Sequence, residues 1–202
     1  MSDRLGYIHG HGEGEGVTTG SERPGTDAAQ LVLVTGLPGT GKSTVAEAIA
    51  RILPSSVLAH DWAMSGLRQY REMQAALDDM EPPGHRVVGW AILNALAQAQ
   101  LRSGRSIVLD GVARAADIER CQASAEAHGA RLVVVETHCS DRVTHRFRIE
   151  GRQRFIPNWY ELAWPQVERA LATWRAPAHT DLRLDASNDW EANATLVAEF
   201  FS

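Results

Sequence analysis

Eight consecutive residues constrain this chain more than any others: Gly36-Leu37-Pro38-Gly39-Thr40-Gly41-Lys42-Ser43, with Thr44 following. They fill every fixed position of the pattern G-x-x-x-x-G-K-[ST]. Their surroundings fit as well. Leu31-Val32-Leu33-Val34 is a short continuous apolar run, as expected of a strand covered on both faces, and Val45, Ala46, Ile49 and Leu53 then recur at helical spacing. In such a strand–loop–helix unit the glycines let successive backbone N–H groups turn toward phosphate oxygens, where a Cβ would obstruct them. The helix start adds partial positive charge. Lys42 can reach the β- and γ-phosphates, and the Ser43 hydroxyl can ligate Mg²⁺. An ordinary glycine-rich turn is the plainer alternative; motif and context together favour a nucleoside triphosphate site with Mg²⁺.

The remainder of the chain repeats the alternation of strand and helix. Pro54 ends the first helix, and Val57-Leu58-Ala59 reads as a second strand leading into His60-Asp61. Helices are predicted over 62–78 and about 86–102, separated by Glu81-Pro82-Pro83-Gly84. Ser106 to Leu109 forms a third strand ending at Asp110, and a helix over 115–128 follows, with Gly129 behind it. Leu132 to Val135 is a fourth strand. An arginine-rich segment at 141–154, a helix at 160–174, a fifth strand at Leu182–Leu184 and a closing helix from about 190 complete the order. Such alternation predicts a parallel sheet covered on both faces by right-handed crossovers, a three-layer α/β domain over 30–202. Residues 1–29 hold seven of the seventeen glycines and few large apolar groups, so they are expected to form a disordered tail. His9 and His11 lie in that tail without a nearby third ligand, which argues against a metal site there.

Composition excludes several classes. With 25 acidic and 20 basic side chains the net charge is −5, a poor balance for a general nucleic-acid binder. Cys121 and Cys139 stand alone, without a CxxC spacing, which suits a reducing compartment rather than a disulfide framework. No apolar run approaches the ~20 residues of a membrane-spanning helix, and the glycine-rich N-terminus lacks the apolar stretch of a signal peptide. The expectation is a soluble, cytoplasmic protein.

Gly36-Leu37-Pro38-Gly39-Thr40-Gly41-Lys42-Ser43-Thr44 at the start of a domain of this size resembles the small P-loop kinases. The group is often labelled AAA-type ATPases or predicted kinases, and it includes zeta-toxin-like, gluconate-kinase-like and polynucleotide-kinase-like members. The resemblance implies a P-loop NTPase fold with a five-stranded parallel sheet in the order 2-3-1-4-5 and an arginine-bearing lid closing over ATP. It gives Asp61 the role of accepting the proton of a substrate hydroxyl, or of holding that hydroxyl in line with the γ-phosphate; the alternative is a helix N-cap. It makes Asp110 a Walker B carboxylate that fixes Mg²⁺ with Ser43, against the plainer reading of a turn acid before Gly111. Within the lid it points to Arg146 and Arg152 as phosphate or transition-state contacts, with Arg148 behind them on the nucleotide; on a helix 142 and 146 would share a face, as would 148 and 152. The alternative is a solvated face paired with Asp141 and Glu150.

Trp159 and Tyr160 could line a substrate pocket, whereas Trp164 reads as core. The loop at Leu184 to Ser187 would border the nucleotide base by the same resemblance. Together these residues point to an ATP-dependent phosphotransferase acting on a hydroxyl of a small molecule. A polynucleotide end kinase is the alternative within enzymes; Met64 stands where such kinases carry an arginine three residues after the acid. A nucleotide switch or hydrolase with no acceptor is the alternative outside transfer, though no Asn-Lys-x-Asp guanine motif occurs. Oligomeric state and acceptor identity carry no sequence signal.

Overall fold

A computed structural model of the chain describes residues 28–81 and 83–202. The tail expected over 1–29 lies almost wholly outside the described residues. In chain order the elements are β1 (Gln30–Thr35), α1 (Lys42–Ile52), β2 (Ser56–Ala59), α2 (His60–Arg68), α3 (Arg71–Asp78), α4 (Gly84–Leu101) and β3 (Ile107–Asp110). They continue as α5 (Ala115–Ala127), β4 (Arg131–His138), α6 (Arg142–Gly151), α7 (Trp164–Thr173), β5 (Leu182–Asp185) and α8 (Trp190–Phe201).

The five strands form one parallel sheet in the order β2-β3-β1-β4-β5, the arrangement expected from sequence. In β1 the side chains alternate between faces, so a continuous apolar run serves two cores. Leu31 and Leu33 join Ile107 and Leu109 beneath α4 and α5, where Trp90, Leu93 and Ala125 fill the layer. Val32 and Val34 face the opposite way, with Val108, Val133 and Val135, onto Ile49 of α1 and Val197 of α8. Leu33 lies opposite Leu109 on one side and Val134 on the other, which brings the C-terminal ends of β1, β3 and β4 to a common edge. Ligand sites of open parallel sheets form along such an edge.

Three boundaries differ from the sequence reading, each for a local reason. The helix expected over 62–78 is two helices, because Tyr70 is extended (φ −102°, ψ 110°) and starts α3. β4 runs on through Glu136, Thr137 and His138, polar residues that hide the strand from a search for apolar runs but pair with β5. The helix expected from 160 begins at Trp164, since Pro165 belongs in a first turn, and Gln166 accepts the free N–H of Ala163 at 2.8 Å. Residues 160–163 consequently stay out of the helix.

Candidate active site

The loop between β1 and α1 is moulded by its glycines. A Cβ on Gly36 (φ 146°) would lie 2.1 Å from the carbonyl oxygen of Thr137, so β4 passes too close for any side chain. On Gly39 (φ 86°) it would lie 2.7 Å from Cδ1 of Ile149 in α6. Hydrogen bonds hold the same loop from inside: the Thr40 hydroxyl donates to the Leu37 carbonyl at 2.8 Å and shares a 2.7 Å bond with the Thr137 hydroxyl. Buried His145 donates from Nε2 to the Pro38 carbonyl at 2.7 Å. The loop is thus fastened to β4 and α6 before any ligand arrives.

Beyond the loop lies a cleft of about 490 Å³. Lys42, Ser43, Asp61, Asp110, Arg152 and Arg154 all line it. Lys42 Nζ donates to the Leu37 carbonyl at 3.0 Å. Burial pushes this ammonium below its ordinary pKa, Arg152 and Arg154 push the same way, and the Asp110 and Asp61 carboxylates oppose them. Ser43 Oγ donates to Asp110 Oδ2 at 2.7 Å. Asp110 is 5% exposed, and burial raises its carboxyl pKa against the pull of Lys42 and Ser43. Two hard oxygen donors at this spacing suit Mg²⁺, which keeps most of its water and needs only one or two protein ligands besides phosphate.

Asp61 faces them from the first turn of α2. Its Oδ1 lies 3.4 Å from Nδ1 of His60, and its Oδ2 accepts from Arg154 Nη1. Burial works against ionisation of Asp61, yet the His60 hydrogen bond and the Arg154 guanidinium more than offset it and hold the carboxyl down to about 2. Arg154 is itself anchored to Glu161 Oε2 at 3.1 Å and to the Tyr160 carbonyl at 2.9 Å. Arg152 is less satisfied. Its nearest carboxylate, Glu161, stands 3.9 Å from Nε, and its Nε and Nη2 are buried without a hydrogen-bond partner. Burial and the neighbouring Arg154 charge both lower its pKa. The unpartnered Arg152 nitrogens, beside the cations of Arg154 and Lys42, suit a polyanion.

The arginine segment does not run on as one helix. Gly151 closes α6, and residues 152–156 alternate with period two, so Arg152, Arg154 and Ile156 turn inward while Gln153 and Phe155 stay exposed. The face-sharing of 148 with 152 expected for a helix is therefore corrected. Arg148 belongs instead to a second cavity of about 180 Å³, with Thr40, Gly41, Thr44, Leu184, Ala186 and Trp190 among its walls. Arg146 reaches neither cavity: it is exposed and its Nε donates to Glu150 at 2.8 Å. Arg142 pairs with Glu168 outside the cleft.

Trp159 and Tyr160 do line the larger cleft, stacked at 5.2 Å, and Trp164 packs with Ile149 and Val167. Sequence reasoning singled out neither Arg154 nor His145. The signal for Arg154 was the alternation after Gly151; for His145, buried by its contact to the loop, no sequence signal existed.

The model of the AAA domain family matches residues 31–175. The chain belongs to that family. No curated protein sequence matches the chain. Among solved structures it is similar to a gluconokinase from Sinorhizobium meliloti 1021, at 18% identity and a TM-score of 0.63, over 86% of this chain and 92% of the other. It is also similar to the Mycobacterium tuberculosis APS kinase in complex with AMPPNP and APS, at 20% identity and a TM-score of 0.57, over 86% and 97%. Chaetomium thermophilum Kti12 in complex with ADP-AlF3 aligns at 17% identity with a TM-score of 0.62, over 85% and 95%. These likenesses show a P-loop NTPase fold.

Proposed function

We propose that this chain binds ATP with Mg²⁺ and transfers the γ-phosphoryl group to a hydroxyl of a small molecule. The observation that supports this most directly is the single cleft in which Asp61 and two arginines face Lys42, Ser43 and Asp110. An acid opposite the loop can hold an acceptor hydroxyl in line with the γ-phosphorus.

The roles follow from the chemistry of each group. Backbone amides of residues 39–43, at the loop and the α1 start, would hold the phosphate chain, and Lys42 would cover its β- and γ-oxygens. Ser43 and Asp110 would hold Mg²⁺, which would offset the charge of the phosphate chain. Arg152, with two unpartnered nitrogens, and Arg154 would take the charge of the transferring group. Asp61 would accept a hydrogen bond from the acceptor hydroxyl and so aim its oxygen at phosphorus. As that O–P bond forms, the bond to the β-γ bridging oxygen breaks, ADP departs and the hydroxyl proton leaves through Asp61 to water. A carboxyl near 2 is a weak proton acceptor, so Asp61 contributes orientation more than basicity. The smaller cavity, with Arg148, Ala186 and Trp190, would receive the base.

The test is ADP release from ATP and Mg²⁺ in the presence of a panel of sugars, sugar acids, nucleosides and antibiotics. At least one acceptor should raise the rate and appear phosphorylated, and Lys42→Ala should abolish the effect. ADP release that no acceptor stimulates would instead mean a hydrolase or switch.

A further inference from the structure

The cleft wall also carries charge that the transfer reading leaves unused. Asp117, 2% exposed, sits in the first turn of α5 and accepts from the backbone N–H of Arg114 at 3.0 Å and from Arg86 Nη1 at 2.9 Å. It also attracts Arg120 at 3.7 Å. Asp117 thus holds the guanidinium of Arg86 from the first turn of α4 and the backbone of Arg114 at the start of α5, and both residues line the cleft. A single negative charge cannot neutralise that group. Arg114 takes part in no ion pair among the described residues, and its side chain has no role in the core. Of the carboxylates that line the cleft, Asp61 pairs with Arg154, Asp110 accepts from Ser43, and Glu47 pairs with Arg51.

This excess stands on a chain of net charge −5, so it is a local reversal of the molecule's own sign. A cleft with walls of one sign concentrates ligands of the other. The same cleft offers a different surface in Trp159 and Tyr160, stacked, beneath the guanidinium of Arg68 at 5.3 and 5.0 Å from their ring centres. A ligand filling this space would press its carbon body on the aromatic wall and turn any anionic group to the arginines.

We propose that the phosphate acceptor is itself an anion, a hydroxylated compound whose carboxylate or phosphate is bound by Arg114 and Arg86 while its hydroxyl meets Asp61. This rests on the transfer reading for the hydroxyl, but the anion site stands on its own residues. Charge-assisted guanidinium bonds to an oxyanion, often bidentate, are strong enough to separate an anion from its neutral twin by about tenfold or more.

Matched pairs test it: glycerate against glycerol, gluconate against glucose, and ribose 5-phosphate against ribose. Each is titrated calorimetrically, at fixed ionic strength, into the full chain already loaded with AMPPNP and Mg²⁺, so that the phosphate loop cannot capture the added anion. The anionic member of at least one pair should bind ten times more tightly than its twin, and Arg114→Ala should remove most of that margin. Arg86→Lys, which keeps a cation for buried Asp117, should narrow it as well. Equal affinities in every pair, a margin that survives Arg114→Ala, or no binding by any compound overturns the inference. Anion-selective binding without stimulated ADP release would uphold the anion site and remove the transfer reading instead.

Discussion

Asp61 illustrates how one residue's environment selects its task. A carboxyl held near 2 by His60 and Arg154 stays ionised throughout the physiological range. Asp61→Asn should therefore leave the affinity for ATP unchanged, as read by calorimetry, while lowering acceptor-dependent turnover by about a hundredfold, the scale of lost alignment. The ratio of wild-type to variant rates should stay flat from pH 5 to 8; a ratio that changed tenfold per pH unit would mean that Asp61 titrates as a base in that window. Arg154→Ala removes the nearest positive charge, so the Asp61 carboxyl should titrate nearer its ordinary 3.8 or above, seen in the carboxyl carbon shift. The same ionisation bears on stability. The folded pKa lies below the unfolded value, so the contribution of this pair is complete above about 4 and is lost as pH falls toward 2. Its partial exposure to water keeps the contribution small.

At the scale of elements, α6 is the part most closely tied to the loop it serves. The His145–Pro38 bond and the Ile149 contact at Gly39 mean that the loop cannot shift without the helix that precedes Arg152 and Arg154. His145→Ala leaves a cavity and an orphaned carbonyl, together costing about 2–4 kcal/mol. The melting temperature should fall by roughly 5–10 °C for a domain of this size, and the KM for ATP should rise more than kcat falls. Gly39→Ala attacks the same seam from the other side, with strain at φ 86° added to the clash with Ile149, and should raise KM similarly. If His145→Ala altered stability but neither constant for ATP, the seam would serve folding alone.

For the whole molecule, the sheet edge gathers charge of opposite kinds that the fold alone does not satisfy. Half-buried Lys42 and Arg152 have lowered pKa values and buried Asp110 a raised one, so each group bears a cost in the free protein. A ligand carrying phosphate and Mg²⁺ relieves both signs at once. AMPPNP with Mg²⁺ at a hundred times its dissociation constant should stabilise the fold by about 2.7 kcal/mol, a rise in melting temperature of roughly 5–10 °C. Lys42→Ala should remove the rise, and omission of Mg²⁺ should reduce it. An unchanged rise in Lys42→Ala would place the nucleotide away from the loop.

Residues 31–53 contained enough local information to predict a strand, a phosphate loop and a helix, because glycine conformation, apolar runs and helical spacing are properties of neighbours along the chain. Alternating strands and helices likewise predicted the layered α/β class. What the chain could not reveal locally was which side chains converge. Arg152 and Arg154 face the cleft because Gly151 ends a helix and period two replaces period 3.6; Arg146, equally eligible in sequence, turns to Glu150 and solvent. His145 earns its place only because β1 and β4 are neighbours and α6 then lies over the loop. Convergence of this kind depends on contacts between residues about a hundred positions apart, and those distances are set by strand order and packing rather than by any spacing along the chain.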